Sequence, residues 1–291
     1  MSLIAFPRRG DAREAILTAV HQAVPVVVAH RGASAHQPEH TLEAYALALE
    51  QGADGLECDI RVSRDGQLVC VHDRRVDRVS SGHGVVSELT LPTMSALDFG
   101  VWHDELPSSA DELIEQRTAW PLSHRPRHGV LTLDSLLGLV RDHSKPVTLF
   151  VETKHPVRYA GLVEAKLVAL LARYGLASPS DKETSPVVMM SFSARAVRRV
   201  RRAAPSLPTV LLFDRFFNRR SGALPQWADF AGPSIDLVRS DPDYVARARE
   251  RGSLTYCWTV DDPADVALCQ RAGVRWLATN APASTRSHLI R

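Results

Sequence analysis

The chain has 291 residues, a formal charge of +2 and charges of both signs spread along its length. That length suits one large α/β domain with a sizeable core, spanning residues 1–291, and the even charge balance argues against a dedicated nucleic-acid surface. Met1 to Arg9 lacks the apolar run and cleavage site of a secretory signal, and no apolar run reaches the length of a membrane span, so a cytoplasmic protein is expected.

In chain order, β-rich runs are predicted at Val26 to Ala29, Gly55 to Val62, Leu68 to His72, Val147 to Glu152 and Val187 to Ser191. Four more follow at Thr209 to Phe213, Ile235 to Val238, Leu254 to Trp258 and Trp276 to Thr279. Helical patterns lie between them. Leu42, Tyr45, Ala46 and Leu49 form one apolar face, and Leu133, Leu136, Leu137 and Val140 form another. Gly52, Gly175, Gly252 and Gly273 each follow such a pattern, as helix-ending glycines do, and Asp262-Pro263 has the chemistry of a helix start. Repeated β-α units of this kind predict a parallel sheet, most simply a closed TIM (β/α)8 barrel.

Nine runs are one too many for eight barrel strands. Only Ser63 to Gln67 joins the second run to the third, too short for a parallel crossover and right for a hairpin turn at Asp65-Gly66. The third run should double back antiparallel and carry His72 toward the C-terminal rim, where such barrels keep their active sites. Residues 74–129 are rich in Ser, His, Arg and Pro with weak periodicity, and are expected to form a capping insertion over the mouth that helps shape the substrate pocket. Cys58, Cys70, Cys257 and Cys269 sit in apolar patterns as buried free thiols, and without paired cysteine ligands a zinc site is not expected.

The densest chemistry lies in Glu57-Cys58-Asp59. Strand alternation points Glu57 and Asp59 to one face and Cys58 to the other. Two carboxylates on one face repel unless a cation lies between them, so this reads as a metal site beside an acid/base pair formed by His30 and His72. Trp258 is better suited to a pocket wall than to chemistry, and Asp73 to a supporting hydrogen bond.

Taken together, Ala29-His30-Arg31-Gly32-Ala33-Ser34, Pro38-Glu39-His40-Thr41, Gly52 to Asp59, Asp65-Gly66, His72-Asp73, Asp77-Arg78, Gly82-His83-Gly84, Glu152-Thr153-Lys154, Ser191-Phe192 and Trp258-Thr259-Val260 resemble the glycerophosphodiester phosphodiesterase family, in its order. The resemblance implies a TIM barrel that hydrolyses glycerophosphodiesters to an alcohol and glycerol phosphate with one divalent metal, Mg²⁺ or Ca²⁺. It also implies Glu57, Asp59 and Glu152 as metal carboxylates, His30 and His72 as the acid/base pair, and Arg31 and Lys154 near the phosphate. Attack by the substrate's own glycerol hydroxyl, through a cyclic phosphate, is the expected route. The hard oxygen donors, the guanidinium fork and the near-neutral histidines suit these roles on chemical grounds.

Two positions depart from the family pattern. His40 stands where Asn is usual, and Asn280 in Thr279-Asn280-Ala281-Pro282 stands where Asp is usual. Thr41 can serve as helix cap, and neither change is expected to touch the metal or acid/base groups. In Phe213 to Arg220 the expectation is a rim loop with phenylalanines inward and arginines solvated; the alternative is transient contact with a membrane surface or a lipid tail. The competing activities are a lysophospholipase D or phosphodiester lyase acting on lysolipids, and, from another class, a catalytically silent barrel that binds phosphodiesters. The intact set of seven polar residues argues against the last.

Overall fold

The computed structural model describes residues 24–101, 127–216 and 219–289. Strand β1 (Val26–His30) leads into helix α1 (Leu42–Glu50), whose first turn is capped by the Thr41 hydroxyl accepting from the Ala44 amide at 3.2 Å. Such a cap contributes about 1 kcal/mol. Strand β2 (Gly55–Val62) then turns at Asp65-Gly66 into β3 (Leu68–Cys70), which pairs with it antiparallel, as the short connection predicts. After a short α2 (Leu91–Ser95) come α3 (Leu133–Asp142), β4 (Thr148–Thr153), α4 (Leu162–Arg173), β5 (Val187–Ser191), α5 (Ala194–Ala203) and β6 (Thr209–Phe213). The remainder is β7 (Phe230–Pro233), α6 (Ile235–Ser240), α7 (Tyr244–Glu250), β8 (Tyr256–Cys257), α8 (Pro263–Ala272), β9 (Trp276–Thr279) and α9 (Pro282–His288).

The sheet order is β7-β6-β5-β4-β2-β1-β9-β8, with β3 beside β2. Bridges from Ala231 to Thr255 and from Ser234 to Trp258 bring β8 back against β7, so the eight parallel strands make a nearly closed barrel. Alternation along the strands separates two apolar layers. Val28, Phe150, Val188, Val210, Phe230, Tyr256 and Trp276 fill the interior, while Leu56, Cys58, Ile60, Leu149 and Val151 face the helices. Each fully buried side chain of this size contributes about 1.5–3 kcal/mol relative to exposure.

Two local expectations are corrected. Ile235 to Val238 is not a strand but lies in helix α6, and the sixth barrel strand, β7, is Phe230-Ala231-Gly232-Pro233. Glycine and proline argue against that strand locally, but Pro233 stands at its end, and closing the ring demands a strand there. In α1 the buried face is Ala44, Tyr45 and Ala48 rather than one built on Leu42, which is 44% exposed. The expected helix-ending glycines all have positive φ, from 73° to 81°. The four cysteines are buried and free. Within the insertion, Val76, Val79, Val86, Met94 and Phe99 build a small core with Val69 and Val71 of the hairpin; residues 102–126 lie outside the described residues.

Candidate active site

The barrel's inward register continues past its apolar layer into the rim. Two residues after Val28 stands His30, two after Phe150 stands Glu152, two after Tyr256 stands Trp258, and two after Ala278 stands Asn280. Glu57 and Asp59 share that register on β2, where Glu57 pairs with His30 and Asp59 with Glu152 across the sheet. One oxygen from each of Glu57, Asp59 and Glu152 lies within 4.8 Å of the others, and all three residues are buried.

Cations surround the carboxylates. Asp59 Oδ2 is 3.2 Å from Arg31 Nε and accepts from His40 Nε2 at 3.0 Å, and Asp59 Oδ1 is 3.3 Å from Lys154 Nζ. Lys154 Nζ also lies 2.9 Å from Glu152 Oε1. Burial alone would push the Asp59 carboxyl up, but the His40 hydrogen bond, Lys154 and Arg31 outweigh it and hold the group well below its ordinary range. Burial and the neighbouring Asp59 charge push Glu57 well above the carboxylate range and Glu152 up to about 8. One fully ionised carboxylate beside two reluctant ones is a site short of positive charge. Three hard oxygen donors around it suit a divalent cation.

The backbone around the site is preset. Arg31 and His40 adopt left-handed φ of 59° and 60°. Non-glycine residues pay for that conformation, on the order of 1 kcal/mol each, and it persists where hydrogen bonds enforce it. Here the Arg31 amide donates to the Glu57 main chain at 3.2 Å and to Glu57 Oε2 at 3.1 Å, and the His40 amide donates to the Arg31 carbonyl at 3.1 Å. At Gly32, with φ of 86°, a Cβ would come 2.7 Å from the Ala44 main chain, so the turn lies directly against α1.

Each histidine is oriented through Nδ1. Asn280 donates its amide nitrogen to Asp261 Oδ2 at 2.6 Å, which turns its oxygen toward His30 Nδ1 at 2.8 Å and the Ser34 hydroxyl at 2.8 Å. That oxygen can only accept, so His30 carries its proton on Nδ1 and presents the Nε2 lone pair, 4.0 Å from Glu57. Burial first, then Arg31, lowers the His30 pKa to about 4. His72 Nδ1 meets Asp73 Oδ1 at 2.7 Å, and the His72 carbonyl accepts two bonds from Arg61, at 3.0 and 2.8 Å. Burial lowers the His72 pKa, with Asp59 acting in the opposite direction.

The site set predicted from the sequence converges here: His30, Arg31, Glu57, Asp59, Glu152 and Lys154 lie in one contact network, and His72 stands at the rim through the hairpin. Trp258 donates its indole N–H to the Gly232 carbonyl at 2.8 Å and meets Phe192 edge-on at 5.2 Å, with Lys154 Nζ 6.0 Å from the Phe192 ring. The expectation that His40 and Asn280 leave the site untouched is wrong. His40 binds Asp59, and Asn280 binds His30, because the loop before α1 and the end of β9 both fold onto the rim. In the sequence Glu39 and Arg78 stand out only as motif members, yet both belong to the network, where Glu39 takes hydrogen bonds from Arg31 and Arg78. Phe213 and Phe216 are buried, as expected of the rim loop, with Arg219 and Arg220 over their rings; Phe217 and Asn218 of that run lie outside the described residues.

This buried acidic cluster flanked by two oriented histidines on a barrel rim can be compared with known proteins. The sequence pattern of the glycerophosphoryl diester phosphodiesterase family matches residues 30–284. The chain belongs to that family. It is 50% identical over 272 residues to the probable glycerophosphodiester phosphodiesterase 1 of Mycobacterium tuberculosis, covering 91% of this chain and 92% of that protein. It is 32% identical over 260 residues to the glycerophosphodiester phosphodiesterase of Bacillus subtilis, covering 88% and 84%. Among solved structures, a glycerophosphoryl diester phosphodiesterase homologue from Silicibacter pomeroyi superposes with a TM-score of 0.74 at 25% identity, over 94% of this chain and 96% of that one. An Oleispira antarctica phosphodiesterase in complex with its product, sn-glycerol-3-phosphate, superposes with a TM-score of 0.70 at 20% identity, over 92% and 98%. This family member is thus an enzyme of the phosphoric diester hydrolase class with the barrel fold. Among the described residues no helix is long and apolar enough to cross a membrane.

Proposed function

We propose that this enzyme hydrolyses glycerophosphodiesters to an alcohol and glycerol 3-phosphate, with one Mg²⁺ or Ca²⁺ held by Glu57, Asp59 and Glu152. The observation that carries the reading is the convergence of three buried carboxylates with two histidines whose Nδ1 atoms are both engaged. A bound divalent ion would supply charge neutralisation at a phosphoryl oxygen. Arg31 and Lys154, already pointed at the acidic cluster, would hold the remaining phosphate oxygens.

His30 and His72 divide the proton work by environment. His30 sits against a neutral amide and beside Arg31, which disfavours imidazolium, so it is the base that takes the proton from the glycerol 2-hydroxyl as that oxygen attacks phosphorus. The Asp73 carboxylate on His72 favours imidazolium, so His72 is the acid that protonates the departing alkoxide. The resulting cyclic phosphate is opened by water with the roles reversed. The insertion, whose described part is rooted beside His72, is the segment that selects the alcohol, and Trp258 with Phe192 forms the wall along the glycerol moiety.

The test is release of glycerol 3-phosphate from glycerophosphocholine and glycerophosphoethanolamine with Mg²⁺, with Ca²⁺ and with EDTA, alongside His30→Ala and Glu57→Ala. Metal-dependent release lost in both variants is the expected result. Slow turnover followed by phosphorus NMR should reveal the cyclic species; its absence would remove the two-step route. One observation favours lysolipids as a second substrate class. A groove of about 640 Å³ lined by Phe192, Leu212, Phe213 and Leu224, with Asp214 and Arg219 also on its wall, opens at the same rim and offers some apolar surface for a chain beside two charged groups. Release of choline from lysophosphatidylcholine would establish that second substrate class.

A further inference from the structure

Arg78 lies in the insertion between Val76 and Val79, both buried in the small core beneath the hairpin, so its backbone is anchored while its side chain stays 45% exposed. It spreads its guanidinium across two carboxylates. Nη1 and Nη2 donate to Glu39 Oε2 and Oε1 at 3.1 and 2.7 Å, and Nε donates to Asp73 Oδ2 at 2.6 Å. Each carboxylate then reaches a different part of the site. Glu39 Oε1 accepts from Arg31 Nη1 at 3.2 Å, and Asp73 Oδ1 accepts from His72 Nδ1 at 2.7 Å. The resulting chain Arg31–Glu39–Arg78–Asp73–His72 joins the phosphate-binding arginine to the general acid through one residue of the insertion.

We propose that Arg78 is a positioning residue that fixes the distance and orientation between His72 and Arg31, and so makes the capping insertion part of the catalytic geometry. The inference rests on the roles proposed above for His72 and Arg31. In this role Arg78 acts through Asp73, whose other oxygen accepts the Nδ1–H of His72 and so leaves the Nε2–H of the imidazolium aimed at the leaving group. The planar fork is essential to this. A lysine presents its donors from a single nitrogen and cannot span Glu39 and Asp73 in the same arrangement. A misplacement of about 1 Å at a proton-transfer distance costs on the order of 100-fold in rate.

The experiment compares the full-length Mg²⁺-loaded enzyme with Arg78→Met and Arg78→Lys, using His72→Ala as the reference for assigning the His72 signals. Steady-state kinetics, Mg²⁺ titration calorimetry and histidine side-chain ¹⁵N correlation spectra are recorded for each. Arg78→Met is expected to lower kcat at least 10-fold and raise KM several-fold, while the Mg²⁺ Kd stays within twofold and the neutral form of His72, recorded above its pKa, changes from one Nδ1–H tautomer to a mixture. Arg78→Lys, which keeps the charge and guards against loss of folding in the methionine variant, should recover little of the kcat loss and still show the mixed tautomer. An unchanged kcat and tautomer in Arg78→Met overturns the proposal, as does full recovery by lysine, which would reduce Arg78 to a generic positive charge. If the wild-type enzyme released no glycerol 3-phosphate, the functional reading would fail, while the His72 tautomer would still test the positioning role on its own.

Discussion

Asp59→Asn should separate the structural role of the acidic cluster from its metal-binding role. Asp59 is 1% exposed and is the shared counter-ion of Arg31 and Lys154, which are 17% and 12% exposed. At an effective dielectric constant of about 20, each contact near 3.3 Å carries a Coulomb energy of about 5 kcal/mol. Desolvation offsets most of that gross attraction, and removing one member of a buried pair nets about 3–5 kcal/mol when its partner is left unpaired; here Arg31 keeps Glu39 and Lys154 keeps Glu152, so the loss falls to about 1–3 kcal/mol. Asparagine keeps the shape and can still accept from His40, so the loss isolates the charge. Urea unfolding in EDTA, followed by tryptophan fluorescence, should therefore show Asp59→Asn destabilised by about 1–3 kcal/mol, a sizeable part of a total stability of roughly 5–15 kcal/mol. Adding Lys154→Met should cost less than the same change does alone, since Lys154 has by then lost one of its two carboxylate partners, Asp59 and Glu152. Glu57→Gln provides the contrast: Glu57 is pushed toward its neutral form by burial and by Asp59, so without metal the amide should be neutral or slightly stabilising. A loss below about 1 kcal/mol in Asp59→Asn, or strict additivity with Lys154→Met, would refute the counter-ion account.

Three further outcomes are expected. His40→Asn should retain near wild-type stability and Mg²⁺ affinity, because asparagine tolerates the left-handed backbone and can donate to Asp59, whereas His40→Ala should lose about 1–3 kcal/mol and weaken Mg²⁺ binding in calorimetry. Gly32→Ala should lower the melting temperature by several degrees and depress activity, since both φ and the 2.7 Å approach to the Ala44 main chain exclude a Cβ; a wild-type melt would contradict this. Tyr244 is buried against Phe213 and Phe216, its hydroxyl has no hydrogen-bond partner among the described residues, and burial pushes its pKa up to about 12. The sign follows from the raised folded value: the neutral phenol's stability contribution is fully present below about pH 10, where the unfolded tyrosine titrates, and is lost as pH rises toward about 12. Urea midpoints of Tyr244→Phe should accordingly fall less steeply over that window, by up to about 2–3 kcal/mol, and match or exceed wild type at neutral pH.

The local sequence determined the repeating β-α architecture, the hairpin after β2, and the inward placement of Glu57 and Asp59, because strand alternation, turn chemistry and connection length act over a few residues. It also held the motif residues from which the acidic cluster and the histidine pair were read. The tertiary structure decided the rest. Phe230–Pro233 became the sixth barrel strand through barrel closure, against its own glycine and proline. His40 reached Asp59 and Asn280 reached His30 because elements 19 and 250 residues apart in the chain meet on one rim. The chain of contacts through Glu39, Arg78 and Asp73 had the same origin, joining the loop before α1, the hairpin and the insertion. Periodicity reports which face of an element is buried; which side chains share a proton or a charge depends on long-range packing that brings distant loops to the same few ångströms.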